Sequence, residues 1–207
     1  MNHTEQLILR LEQKKACIGV VGLGYVGLPL ALSFVESGFK VIGFDINDKV
    51  VNLINSGCSH INHINSNLIQ SSIRKKVLYA TSDFADVANV DALILCVPTP
   101  LNKYREPDLS FILSSIESAI PYLKKGQILS IESTTYPGTT DEVVYPILSK
   151  NGFTVGDDFF LVYSPEREDP GNQEYKNSMI PKVIGGITED CLKIGLSLYK
   201  NYTNELF

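Results

Sequence analysis

Three glycines and one aspartate carry the first chemistry in this chain. The turn Gly22-Leu23-Gly24-Tyr25-Val26-Gly27 follows the apolar run Cys17-Ile18-Gly19-Val20-Val21. A second apolar run, Lys40-Val41-Ile42-Gly43-Phe44, ends at Asp45, 18 residues after Gly27. A strand that enters a glycine turn and leaves as a helix is a place to hold a dinucleotide. Gly22 permits the tight turn, Gly24 lets the backbone approach a pyrophosphate, and Gly27 lets the helix lie close on the strand. The free N–H groups and positive dipole end of that helix face the phosphates. A carboxylate at Asp45 accepts hydrogen bonds from ribose hydroxyls and repels a 2′-phosphate, so NAD is expected rather than NADP. The same residues also fit a glycine-rich turn in some other α/β protein, with Asp45 a solvated strand end.

Hydroxyls and carboxylates gather in three further loops. They are Val97-Pro98-Thr99-Pro100, Ser133-Thr134-Thr135-Tyr136-Pro137-Gly138-Thr139-Thr140 and Ser164-Pro165-Glu166-Arg167. Each follows an apolar run that reads as a strand: 92–97, 128–132 and 159–163. In a parallel sheet all three would lie on the carboxyl edge, where ligands bind. From the residues alone, Thr134 also reads as a helix cap ahead of the Pro137 turn. Glu166 equally reads as a partner for Arg167 or for helix ends.

The elements that must position these loops alternate strand and helix, the pattern of a parallel sheet covered on both faces. The fold class is α/β, a Rossmann-type doubly wound sheet. Helices are expected from the glycine turn to Ser37, near 48–55, near 67–74, over 109–123, from about Thr139 to before Gly152, and over 189–199. A short strand is expected at 77–80 and a further extended piece at 182–184. Residues 1–15 read as an amphipathic helical extension with Leu7, Ile8 and Leu11 on one side, and residues 16–207 as the dinucleotide-binding domain.

With 44% apolar and 20% charged residues, the 207-residue chain has the composition of an ordinary globular protein. A net charge of −5 without a long basic run disfavours nucleic acid and anionic membranes as partners. No apolar run reaches the ~18 residues that span a bilayer. The cysteines at 17, 58, 96 and 191 lack metal-type spacing, and Cys17 and Cys96 fall in core strands. No metal site is expected, and a reducing cytoplasm fits best.

The glycine turn with Leu28-Pro29, the Val97-Pro98-Thr99-Pro100 loop, the Ser133–Thr140 loop and Ser164-Pro165-Glu166-Arg167, in this order, resemble the nucleotide-sugar 6-dehydrogenase family. The resemblance runs from about Ala16 to Tyr199. Ser-Pro-Glu-Arg followed by Glu168-Asp169-Pro170-Gly171-Asn172 is similar to the UDP-N-acetylglucosamine branch, as is the loop from Asn102 to Leu109. UDP-glucose enzymes usually carry a hydrophobic residue where Arg167 stands.

This resemblance implies oxidation of a sugar C6 alcohol to a carboxylate with two NAD, for surface polysaccharide precursors. A cysteine thioester forms on the way. The threonine matching Thr134 would lie beside the nicotinamide and orient a water. The glutamate matching Glu166 would move protons and activate the hydrolytic water. Gly22, Leu23, Gly24, Tyr25, Val26, Gly27, Asp45, Val97, Pro98, Thr99, Ser133 and Thr134 would contact the cofactor.

Relatives carry a basic residue five positions after the ribose acid, where this chain has Val50, with Lys49 one place earlier. The family's Gly-Gly-x-Cys nucleophile, its lysine and asparagine on a long helix, its UDP-sugar domain and its dimer helix have no match in residues 1–207. The expectation is therefore the cofactor domain of a longer, homodimeric enzyme, not itself turning over a UDP-sugar. A hydroxyacid dehydrogenase of the related Rossmann type and a stand-alone NAD-sensing module are the other readings, and UDP-glucose or GDP-mannose are the other substrates.

Overall fold

The computed structural model describes residues 1–62, 64–166, 181–200, 202–203 and 205–207. Seven strands are β1 (Cys17–Val21), β2 (Lys40–Phe44), β3 (Leu78–Thr81), β4 (Ala92–Leu95), β5 (Ile128–Ile131), β6 (Phe160–Tyr163) and β7 (Gly185–Gly186). They form one sheet in the order β3-β2-β1-β4-β5-β6-β7. Strands β1 to β6 are parallel and β7 pairs antiparallel with β6. The order reverses between β1 and β4, and that switch point opens a crevice at the carboxyl ends of the strands.

Both faces of the sheet are apolar because successive side chains point to opposite sides. Ile18, Val20, Val41, Ile94, Phe160 and Val162 join one core layer. Val21, Ile42, Leu93, Leu95, Leu129 and Leu161 join the other. Helices α1 (His3–Glu12), α2 (Gly27–Glu36), α3 (Asp48–Asn55), α4 (Ser66–Arg74) and α7 (Glu189–Tyr199) bury residues in the first layer. Helices α5 (Ser110–Ala119) and α6 (Tyr145–Lys150) cover the second. The fold is the doubly wound α/β sheet that the strand–helix alternation implies.

Helix α1 is tied down as firmly as the rest. Asn2 and Glu5 form a reciprocal cap at its start. Leu7 and Leu11 bury in the core, Lys200 pairs with Glu12 at 2.9 Å, and Thr4 Oγ1 donates to Asp190 at 3.2 Å.

Four elements differ from the sequence reading, each for a local reason. The expected helix 109–123 ends at Ala119 and continues as a 3-10 turn, Ile120–Tyr122, because Pro121 has no N–H to continue the ladder. The helix expected from Thr139 starts as a π-helical turn, Thr139–Val144, before α6. There the Tyr145 N–H reaches back five residues to the Thr140 carbonyl, and Pro146 cannot donate the next α-helical bond. Strand β4 stops at Leu95 rather than Val97, because the Leu95 carbonyl already takes the Glu132 and Ser133 N–H groups. The piece expected at 182–184 is not the strand. Gly185–Gly186 pairs with β6, while Lys182 bridges to Leu206. A 3-10 turn at Phe84–Asn89, capped by Asp83, is an addition.

Candidate functional site

The turn between β1 and α2 is built by backbone, not side chains. Gly22 sits at φ +88, and a Cβ there would lie 2.6 Å from the Cys96 carbonyl oxygen. A Cβ on Gly27 would collide with the Gly22 carbonyl oxygen at 1.8 Å. A Cβ on Gly24 would meet nothing within 4 Å. The space over Gly24 is thus open to a ligand, while Gly22 and Gly27 are fixed by neighbouring backbone. Val26 at the start of α2 caps nothing with its side chain; the Leu28 N–H donates to the Gly24 carbonyl at 3.1 Å and Pro29 has none, so the positive dipole end of the helix and the N–H groups of the turn before it suit an anion.

Asp45, at the end of β2, holds this turn in place. Its Oδ2 accepts from the Leu23 N–H at 2.9 Å and its Oδ1 from the Asn47 N–H at 2.9 Å. A carboxylate has about four lone-pair positions, so two backbone bonds leave capacity for a pair of ribose hydroxyls. Lys49 is exposed and lies off the cavity wall; its N–H donates to the Asn47 cap of α3.

A cavity of about 580 Å³ runs along this edge of the sheet, within the range of small-molecule sites. One end is walled by Asp45 and Ile46, the middle by Gly22, Gly24, Tyr25 and Val26, and the other end by Val97, Pro98, Thr99, Ser133, Thr134 and Glu166. From β2 to β6 the sheet order places four strand spacings, about 19 Å, between these ends. Of the expected cofactor residues, Leu23 and Gly27 are not on the wall. Leu23 is buried against Gly43 and offers its N–H to Asp45.

The far end is assembled from three separated loops. Ser133 Oγ donates to the Val97 carbonyl at 2.8 Å, joining the loops after β5 and β4. The Glu166 N–H donates to the Glu132 carbonyl at 3.2 Å, joining the loops after β6 and β5. Thr134 is exposed on the cavity and Glu166 half-buried. Thr134 caps no helix; the turn that follows starts at Gly138 in the left-handed region. Arg167 and the run Glu168-Asp169-Pro170-Gly171-Asn172 lie outside the described residues. The Asn102 to Leu109 loop forms a tight turn in which the Asn102 side chain accepts from the N–H groups of Tyr104 and Glu106. It stays off the cavity wall.

Sequence reading missed one charged residue at this end. Glu132 lines the cavity, is fully buried, and pairs with Lys182 at 2.5 Å. Lys182 is 4% exposed, with its ammonium 5.0 Å from the Tyr199 ring centre and 5.6 Å from that of Tyr202. The Tyr199 hydroxyl, in a 2.7 Å hydrogen bond with Ser130, also leans on the Glu132 carboxylate. Burial pushes the Glu132 carboxyl up to about 7, against the pull of Lys182. The available signal was an acid ending an apolar strand. Also unforeseen are Phe111, Ser114, Ser115 and Ser118, one stripe of α5 facing the cavity, and Cys96 on its wall.

No helix among the described residues is long and apolar enough to cross a membrane. Among them no three His, Cys, Asp or Glu side chains gather as metal ligands.

Comparison with known proteins agrees with this geometry. Residues 16–203 match the profile of the UDP-glucose/GDP-mannose dehydrogenase family, NAD binding domain. Protein CapL of Staphylococcus aureus is 38% identical over 185 residues, which are 89% of this chain and 42% of CapL. UDP-N-acetyl-D-glucosamine 6-dehydrogenase of Pseudomonas aeruginosa is 38% identical over 184 residues, 88% of this chain and 43% of that enzyme. The native structure of the UDP-N-acetyl-mannosamine dehydrogenase Cap5O from Staphylococcus aureus superposes with a TM-score of 0.85 at 32% identity, covering 93% of this chain and 47% of that one. The chain thus spans less than half the length of the relatives it matches.

Proposed function

Because the chain belongs to the UDP-glucose/GDP-mannose dehydrogenase family, as an NAD-binding domain, we propose that it works within a UDP-N-acetylhexosamine 6-dehydrogenase. NAD is its cofactor. The single observation that carries the reading is the cavity. It begins at the Asp45 carboxylate, passes the open space over Gly24 at the uncapped start of α2, and ends at Thr134 and Glu166. Relatives named for UDP-N-acetyl-D-glucosamine and UDP-N-acetyl-mannosamine support the hexosamine class.

When bound, NAD supplies the hydride acceptor. Asp45 binds the adenosine ribose, the glycine turn and the α2 N-terminus take the pyrophosphate, and the 97–99 and 133–134 loops seat the nicotinamide. Oxidation of the sugar –CH2OH to a carboxylate removes two hydrides and adds one water oxygen, releasing protons that a base must take. Thr134 and Glu166 stand at the end of the cavity where such a water would be held. Thr134 offers a hydroxyl that both donates and accepts, and Glu166 a carboxylate that accepts the proton. Nucleotide-sugar binding and the covalent chemistry belong, in this proposal, to sequence outside residues 1–207. Cytoplasmic surface-polysaccharide precursor synthesis and a homodimeric full-length enzyme complete the reading.

Calorimetric titration of the chain with NAD and NADP tests it. NAD is expected to bind more tightly, because Asp45 faces the position of a 2′-phosphate. Equal or tighter binding of NADP overturns the assignment of Asp45.

A further inference from the structure

The strongest unassigned feature is the ion pair at the Thr134 and Glu166 end. Glu132 forms part of the cavity wall; Lys182 does not, and stands behind it. The pair therefore has its acid on the cavity side and its base on the interior side, with the Glu132 side chain itself wholly buried. Both side chains are buried, so water screens this dipole little. The Lys182 ammonium is held over the Tyr199 and Tyr202 rings, and one Glu132 oxygen, Oε1, has no hydrogen bond of normal geometry among the described residues.

Holding β5 to the segment at Lys182 does not require charge. A well-packed apolar pair of similar volume would do so as well or better. A fixed dipole matters when a charged group approaches it, and the two forms of the cofactor differ by one charge at the nicotinamide ring. The oxidised ring is a cation; the reduced ring is neutral.

We propose that the buried Glu132–Lys182 pair makes this domain prefer oxidised over reduced cofactor, because its acid rather than its base lies on the side of the nicotinamide end of the cavity. The inference rests on the NAD-site reading given above. The pyrophosphate charge is common to both forms and cancels from the comparison. Glu166 adds a carboxylate at the same end, and it is retained in every variant compared.

The size of the effect follows from electrostatics. At an effective dielectric near 20, an acid about 6 Å from a cationic ring with its base about 3 Å farther would give a preference of about five-fold. The test is calorimetric titration of NAD, NADH and ADP-ribose, which lacks the nicotinamide, against the wild-type chain, Glu132→Gln and the double variant Glu132→Gln/Lys182→Met. Titration at about pH 8 keeps the Glu132 carboxyl ionised. In the double variant the NAD-to-NADH affinity ratio should fall about five-fold, to the level of a neutral wall. In Glu132→Gln, where a lone ammonium remains, the same arithmetic gives a fall of about 100-fold. ADP-ribose affinity should not change, which a merely structural role would not predict if the pocket were distorted.

The double variant carries no unpaired buried charge, so it keeps the test available if Glu132→Gln fails to fold. A ratio within two-fold of wild type in the double variant overturns the inference while leaving the NAD site in place. A wild-type chain that binds neither ADP-ribose nor NAD overturns the site reading itself, and the inference with it.

Discussion

The two ends of the cavity are built on different plans. At the Asp45 end, the cavity wall comes mainly from one stretch, Val21 to Ile46, with Phe84 added. Asp45 reaches the Leu23 N–H across one strand spacing, and the glycines act by having no side chain. At the Glu166 end the groups come from loops after β4, β5 and β6, plus Lys182 on the far side of residues 167–180. There, side chains and their charges form the site. The first end can bind by shape and backbone dipoles. The second gathers a hydroxyl and a carboxylate that could exchange protons, beside a buried charge pair. The contrast teaches that binding and chemistry are separable in this fold, and that they should fail separately.

The largest expected separation is kinetic. In the longer enzyme, Glu166→Gln keeps size and hydrogen bonding but removes the base. In the 6-dehydrogenase reaction proposed above, thioester hydrolysis should slow by about 10²–10⁴-fold, while ADP-ribose affinity changes little. Intact-protein mass spectrometry should then show a sugar adduct on the nucleophilic cysteine. A near-normal rate without an adduct would make Glu166 a structural residue and erase the contrast.

Stability should divide the two ends almost as sharply. Lys182→Met strands the buried Glu132 carboxylate, and the loss should be about 3–5 kcal/mol in denaturant unfolding. Gly24→Val at the other end should leave the unfolding curve of the ligand-free chain unchanged, because its Cβ meets nothing within 4 Å. Yet the valine side chain fills the space assigned to the pyrophosphate, so NAD binding should be lost. A Gly24→Val chain that binds NAD normally would move the pyrophosphate away from this turn.

Asp45→Ala is the intermediate case, because Asp45 both faces the ligand and braces the turn. NAD should weaken by about 1–3 kcal/mol through lost charge-assisted hydrogen bonds, and the preference over NADP should narrow. Some stability should go with it, since the Leu23 and Asn47 N–H groups lose their acceptor. Calorimetry gives the first and thermal unfolding the second. An unchanged NAD-to-NADP ratio would mean that Asp45 serves the turn alone.

The same division governed what could be read in the sequence. The Asp45 end is local: strand, turn, helix and acid fall at fixed spacings, and the backbone geometry follows from residue type. The alternation of strands and helices likewise exposed the sheet, because short unbroken apolar runs between turn residues and longer helical stretches mark buried parallel strands. The loops after β4, β5 and β6 could be placed on one edge by topology. Glu132 could not be given a role, because its partner lies 50 residues away and only folding brings Lys182 behind it. Strand ends were missed by one or two residues where competing donors share a carbonyl, as at Leu95. The π-helical turn at Thr139–Val144 depends on how Pro146 denies one donor, a detail invisible to apolar periodicity.

The smallest expected effect is a labelling rate, and it probes where the two ends meet. Cys96 is 9% exposed and sits on the cavity wall, directly beneath the glycine turn. A Cβ on Gly27 would touch its side chain at 3.1 Å. Cys58 is exposed and off the cavity wall, while Cys191 is buried and takes the Leu161 N–H on its sulfur. Burial pushes the Cys17 thiol up to about 11, leaving little thiolate to react at neutral pH. Thiol labelling followed by peptide mapping should therefore modify Cys58 first, Cys96 slowly, and Cys17 and Cys191 last. NAD should slow Cys96 by about a few-fold, in proportion to site occupancy, and leave Cys58 unaffected. ADP-ribose should protect Cys96 as well as NAD does, because the proposed arrangement puts the pyrophosphate over that position and the nicotinamide beyond it. Protection by NAD but not by ADP-ribose would put the nicotinamide over Cys96. The boundary between the binding end and the chemical end would then shift one strand toward β1.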